Sequence, residues 1–216
     1  MMKEWKIWAP TNPVLRWMRE DVRDRSRKII LSMLEENPKV EFLDLGCSLG
    51  DFTMEMARKI GTSSLYGVDE TEYTNSKIPI YMADLDKEIP FGNEKFDIVV
   101  ASQVIEHLQK PQILLKEIYR VLRPTGNAII STPNLASWHN ILCLVFGFQP
   151  PGLSTQWDHR FLLTAKGLLE LLEYYNFKIE KVIGIGYYPL FGFPARFACC
   201  LDKRHSVDIV VKVRKR

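Results

Sequence analysis

The sequence predicts an α/β fold of the doubly wound type, with seven strands in one mostly parallel sheet, helices on both faces and an antiparallel edge strand at the carboxyl end. Three observations carry this. Short apolar runs bounded by turn residues recur along the chain, stretches of helical period separate them, and the last run alternates apolar with polar residues. The chain has 216 residues, 46% hydrophobic and 25% charged, a globular composition that argues against long disorder, fibrous repeats or a disulfide framework. One domain over 1–216 is expected, with a helical cap over 1–37 and an insertion over 134–161.

From Asn12 to Glu36, apolar residues at 14, 15, 18, 22, 29, 30, 33 and 34 repeat at helical spacing, which predicts an amphipathic helix ended by Asn37-Pro38. The texture then changes. VEFLDL at 40–45, LYGVD at 65–69, IPIYM at 78–82, FDIVVAS at 96–102 and NAIIST at 127–132 read as strands buried on both faces. DFTMEMARKI at 51–60 and PQILLKEIYRVL at 111–122 read as crossover helices between them. Beyond Pro133 lies an aromatic stretch with Trp138, Phe146, Phe148 and Trp157, broken by Pro150-Pro151-Gly152; it reads either as a cover over an acceptor or as packing against the sheet. A helix over 164–175 capped by Thr164 follows, then strands at 179–188 and 207–215.

Charge excludes little. Lys plus Arg number 29 against 26 Asp plus Glu, a net of +3, too small to mark a nucleic-acid coat or strong membrane adsorption. Lys212, Arg214, Lys215 and Arg216 read as a frayed basic tail or as a contact for an anionic partner. Cys47, Cys143, Cys199 and Cys200 form no C-x-x-C pair and no zinc-ligand spacing with histidine, so neither metal nor disulfides are expected. No signal-peptide core or membrane-length apolar run stands out, and a reducing cytoplasm is the default compartment.

FLDLGCSLGDF at 42–52 runs a buried strand through a glycine turn directly into a helix, which places a ligand crevice at the carboxyl end of the first strand. A dinucleotide fingerprint needs glycines at 46, 48 and 51, where the chain has Ser48 and Asp51, and no G-K-[ST] follows. Asp51 at the helix opening repels a pyrophosphate but tolerates a ligand with positive charge.

LDLGCSLG resembles the D-x-G-x-G-x-G loop of class I S-adenosylmethionine-dependent methyltransferases, with Ser48 in place of the middle glycine. A serine fits there if its backbone dihedrals are ordinary. The resemblance continues in order through LYGVD, MADLDKEIPF, FDIVVAS with QVIEHL, and LRPTGNAIISTPN, and it implies a Rossmann-like sheet binding S-adenosylmethionine. It implies that Asp44, Gly46, Cys47, Ser48 and Gly50 form the cofactor loop, that Asp69 accepts both ribose hydroxyls, and that Glu70 borders the adenine. It further implies that Asp84, with the backbone near Leu85, takes the adenine amino group, and that Ser102, Gln103 and His107 line the rim.

Methyl transfer needs alignment, exclusion of water and, for some acceptors, a base. His107, His139, Asp158 and His159 are the base candidates, with His107 read either as base or as a loop-holding residue and Glu106 as a charge paired near the rim. STPNLASWHN and DHRFLLTAKGLLELLE are similar to the type 11 and type 23 groups, with a weaker likeness to the methyltransferase-like protein of methionine biosynthesis. Those groups act on quinone precursors, lipids, sugars and other small metabolites, which implies a small-molecule acceptor. A non-catalytic module that binds a protein partner and an RNA methyltransferase are the rival readings; no appended RNA-binding domain supports the second.

Overall fold

The computed structural model describes residues 13–150, 159–188, 190 and 192–216. Its helices are α1 (Pro13–Met33), α2 (Asp51–Ile60), α3 (Pro111–Val121), α4 (Trp138–Val145), α5 (Ala165–Tyr174) and α6 (Gly192–Leu201). Its strands are β1 (Phe42–Leu45), β2 (Leu65–Asp69), β3 (Ile80–Met82), β4 (Phe96–Ser102), β5 (Leu122–Pro133), β6 (Phe177–Ile185) and β7 (Asp208–Lys215). They form one sheet in the order β3-β2-β1-β4-β5-β7-β6. The first five strands pair in parallel, and β7 is antiparallel to both β5 and β6.

Strand count, parallel bulk and antiparallel last strand match the expectation, but β7 is not the edge. It is inserted between β5 and β6, and β6 lies outermost. Burial explains the difference: Asp208, Ile209, Val210 and Val211 are all buried, so this half of β7 is covered on both faces. The polar alternation that reads as an edge is confined to the second half. The basic residues there are not a frayed tail either. Lys212 Nζ donates to the Met33 carbonyl at 3.2 Å, Arg214 Nε to that of Thr125 at 3.2 Å and Lys215 Nζ to that of Leu122 at 2.7 Å.

Alternate strand residues feed two cores. Phe42, Val100, Ile129 and Val210 pack with Ile30 of α1 and Met56 and Ile60 of α2. Leu43, Val99, Ile130 and Val211 face the other way, against Leu114 and Ile118 of α3 and Leu168 and Leu172 of α5. This two-sided burial is what a doubly wound parallel sheet requires. Each fully buried large side chain contributes about 1.5–3 kcal/mol.

Helix α1 stops at Met33, before Asn37-Pro38. Asn37 instead makes the turn into β1, its side-chain oxygen accepting from Lys39 N at 3.1 Å while its own N–H donates to Ile60 O at 2.8 Å. Thr164 caps α5 as expected, accepting from Gly167 N at 3.0 Å. Helices α4 and α6 were not expected. Within α4 only Asn140 and Cys143 are buried, so no apolar face recurs for a periodicity reading to find. Trp138, Phe146 and Phe148 are exposed rather than packed on the sheet; Trp157, Asp158 and Pro151-Gly152 lie outside the described residues. Among the described residues no helix is long and apolar enough to cross a membrane.

Candidate functional site

β1 lies between β2 and β4, where the strand order reverses, and the chain leaves it at Leu45 for the loop into α2. Gly46 and Gly50 hold φ of +71° and +79°. A Cβ on Gly46 would stand 2.5 Å from Val104 Cγ2, and one on Gly50 2.7 Å from Ile78 Cγ1. Both positions therefore need glycine for conformation and for space.

Ser48 departs from the expectation of ordinary dihedrals, since its φ is 50°, in the left-handed region that the family's glycine would occupy without strain. For a residue with a Cβ this costs roughly 1–2 kcal/mol. The Asp69 carboxylate holds it in place. Ser48 N–H donates to Asp69 Oδ2 at 2.9 Å, and Thr71 N–H donates to Oδ1 at 3.1 Å. Gly46 and Cys47 N–H both donate to Val68 O, at 2.8 and 3.2 Å, so the glycine loop is tied to the end of β2 by backbone as well.

Asp44 and Cys47 support this loop from beneath. The Asp44 carboxylate is buried and its Oδ2 accepts from Thr53 Oγ1 at 2.6 Å. Burial pushes its pKa up to about 7 against the lowering effect of that bond. The Cys47 thiol is pushed up to about 12 by burial and fills the space beside Gly67. Asp51 opens α2 in an ion pair with Lys77, which offsets the charge that sequence reasoning set against phosphate.

Around the far side of the crevice, Glu70 is exposed just past β2. Asp84 is exposed too, taking Lys87 Nζ at 3.0 Å and Asp86 N–H at 2.9 Å, and the Lys87 ammonium holds it below the ordinary carboxylate range. The Leu85 side chain is buried in the core, leaving its backbone for any ligand.

At the end of β4, Ser102 Oγ and Ser131 Oγ are 3.0 Å apart, and Gln103, at φ 58°, donates Nε2 to Asp208 Oδ2 at 3.2 Å. Sequence reasoning missed Asp208. It sits buried at the start of β7, opposite Pro133 and Ile185, where burial pushes its carboxyl up to about 7. A single acid opening an apolar strand gives no signal by itself; only the sheet order brings it to Gln103.

The turn at Ile105–His107 follows. Glu106 is 1% exposed, so it is not the rim charge expected. Its Oε2 accepts from Thr132 Oγ1 at 3.1 Å, and burial, with the nearby charge of Asp208, pushes it up to about 8. His107 is exposed, with its ring edge-on to that of His159 at 5.0 Å. The His139 ring lies 5.9 Å from that of Tyr188, and burial pushes it down to about 4. Asp158 lies outside the described residues. A depression of about 270 Å³, lined by Met33, Val40, Ile98 and Pro124, lies at the amino ends of β4 and β5, away from this site.

A sequence model of the family described as methyltransferase domain, type 23, matches residues 16–182. The chain belongs to this family, within the class I S-adenosylmethionine-dependent methyltransferases. It is 27% identical over 170 residues to the mitochondrial ubiquinone biosynthesis O-methyltransferase of Rattus norvegicus, covering 71% of this chain and 49% of that one. It is 30% identical over 181 residues to a probable S-adenosylmethionine-dependent methyltransferase of Mycolicibacterium smegmatis, covering 79% and 62%. The chain thus spans about half to three fifths of the length of these curated relatives. In fold it resembles a Thermotoga maritima methyltransferase described as a possible histamine N-methyltransferase, with a TM-score of 0.69 at 16% identity over 97% of this chain and 98% of that one.

Proposed function

We propose that this chain transfers a methyl group from S-adenosylmethionine to a small-molecule acceptor by in-line displacement. The carrying observation is the joining of the left-handed loop after β1 to the Asp69 carboxylate at the end of β2 through Ser48 N–H. When bound, the donor supplies a methyl group already activated on a sulfonium. The residues present suit such a ligand: Asp69, Glu70 and Asp84 offer carboxylates for hydroxyls, an amino group and positive charge, and both loop glycines leave backbone bare.

In this reading each Asp69 oxygen keeps a lone pair for a ribose hydroxyl while holding the loop with the other. Asp84 and the Leu85 backbone take the adenine, and Glu70 borders it. Ser102, Gln103 and His107 line the methyl end, with Asp208 fixing the Gln103 amide. Of the cap and the insertion, the described residues 13–37, 134–150 and 159–161 are read as the acceptor side. The exposed Trp138, Phe146 and Phe148 suit an apolar or aromatic one. The names of the O-methyltransferase relatives favour a hydroxyl as the accepting group.

The test is incubation with S-adenosylmethionine and a panel of phenols, hydroxy acids and amines, following S-adenosylhomocysteine and a product heavier by one methylene. Turnover on a phenolic or apolar hydroxyl compound is the expected result. Failure to bind the donor at all would overturn the proposal.

A further inference from the structure

The turn after β4 and the segment that follows residue 158 bring three metal-ligating side chains together. One donor atom from each of Glu106, His107 and His159 lies within 4.8 Å of the other two. Two backbone bonds set the spacing, since Arg160 N–H and Phe161 N–H both donate to Glu106 O, at 2.7 and 3.0 Å. A further pairing of Leu135 N–H with Leu163 O at 2.9 Å holds the returning segment from its other end.

A second observation points independently to a ligand. Thr132 Oγ1 satisfies Glu106 Oε2, whereas Glu106 Oε1 is buried and has no hydrogen-bond partner among the described residues. A buried carboxylate oxygen left in that state is costly, and native structures answer it with a donor, a water or a cation. Together with the two imidazoles of the cluster, that carboxylate offers a cation three ligand atoms from three side chains.

From the clustering of the Glu106 carboxylate with His107 and His159, and from the unpartnered oxygen on that carboxylate, we infer a binding site for one divalent transition-metal ion of the zinc class. Two imidazole nitrogens with one carboxylate oxygen suit zinc and its neighbours better than magnesium or calcium, which favour all-oxygen sites. Bonds of about 2.0–2.1 Å put donors roughly 3.4 Å apart around a tetrahedral ion. Separations of up to 4.8 Å then close by at most about 1.4 Å, to which a rotation of the exposed His107 contributes. The ion clasps the returning segment at His159 to the turn at Glu106 and keeps a fourth position for water. The site's existence does not depend on the proposed methyl transfer; only its placement beside the acceptor rests on that reading. The ligand set leaves no spacing signal in the sequence, because His159 lies far along the chain from Glu106 and His107.

The test uses the full chain after chelator treatment, titrated with cobalt(II) and followed by absorbance, and with zinc in competition with a chromophoric chelator. Wild type is expected to bind one equivalent and to melt roughly 5–10 °C higher at a hundredfold excess over Kd. His107→Ala and His159→Ala, at exposed and half-exposed positions, are expected to weaken binding by at least about tenfold. Glu106→Gln tests the third ligand with little change of shape. Absence of binding by wild type, or an affinity in both histidine variants equal to that of wild type, would overturn the site. Parallel titration with S-adenosylmethionine separates the two proposals: donor binding without metal binding removes only the site, and metal binding without donor binding leaves the site standing while removing the methyltransferase reading.

Discussion

Ser48 reaches Asp69 from a left-handed backbone, donating its N–H to Oδ2 at 2.9 Å with φ at 50°. The contact couples the two strand ends that face the crevice, and it uses only backbone from the loop side. The hydroxyl of Ser48 is therefore dispensable to it, while the Cβ is the source of strain.

Ser48→Gly is expected to raise stability by up to about 1 kcal/mol, because it removes the left-handed penalty and keeps the N–H, partly offset by a freer unfolded chain. For a protein of this size that is roughly 2–4 °C in melting temperature. Calorimetric melting checks it, and a lower melting temperature would show that the side chain is needed.

Gly46→Ala should have the opposite effect, since its Cβ would meet Val104 Cγ2 at 2.5 Å on a backbone at φ +71°. The combined clash and strain cost about 2–4 kcal/mol. Adding Val104→Ala relieves the clash alone, so denaturant melts of the double variant should show less added damage from Gly46→Ala than the single variant does. Strict additivity of the two substitutions would show that the contact is not the cause.

Stability should respond to pH through Asp44. Its folded pKa of about 7 lies above the ordinary carboxylate value, raised by burial. Between about pH 4 and 7 the native state holds a proton that the unfolded state has lost, so this stabilising contribution is fully present below pH 4 and is lost as pH rises through 7. Asp44→Asn keeps an acceptor for Thr53 and should match wild type near pH 4, yet exceed it at pH 8, with an upper bound of about 4 kcal/mol. Paired denaturant curves at the two pH values check this; a variant weaker than wild type at pH 8 would contradict it.

Much of the fold was legible because its signals are local. Strands β2 and β4 and helix α2 fall where apolar runs and periodicity place them, since each buries a pattern that its own residues spell out. The place of β7 was not legible, because an antiparallel strand with a polar second half reads the same at an edge as between neighbours. Helix α4 hid because it buries so little. In the site, the glycine loop is legible as a strand running through a turn into a helix, and Asp69 through the family resemblance that LYGVD carries. Asp208 with Gln103, and His159 with Glu106, meet only through sheet order and a returning segment, and no local pattern records either meeting.

The central claim is that Asp69 and the loop it holds grip the adenosyl donor. Titration calorimetry of S-adenosylmethionine into wild type and Asp69→Ala tests it most directly. One binding site is predicted for wild type, weakened about 10- to 150-fold in the variant, the loss of about 1.5–3 kcal/mol from two charge-assisted hydroxyl bonds. Equal affinity in the two proteins would contradict the account.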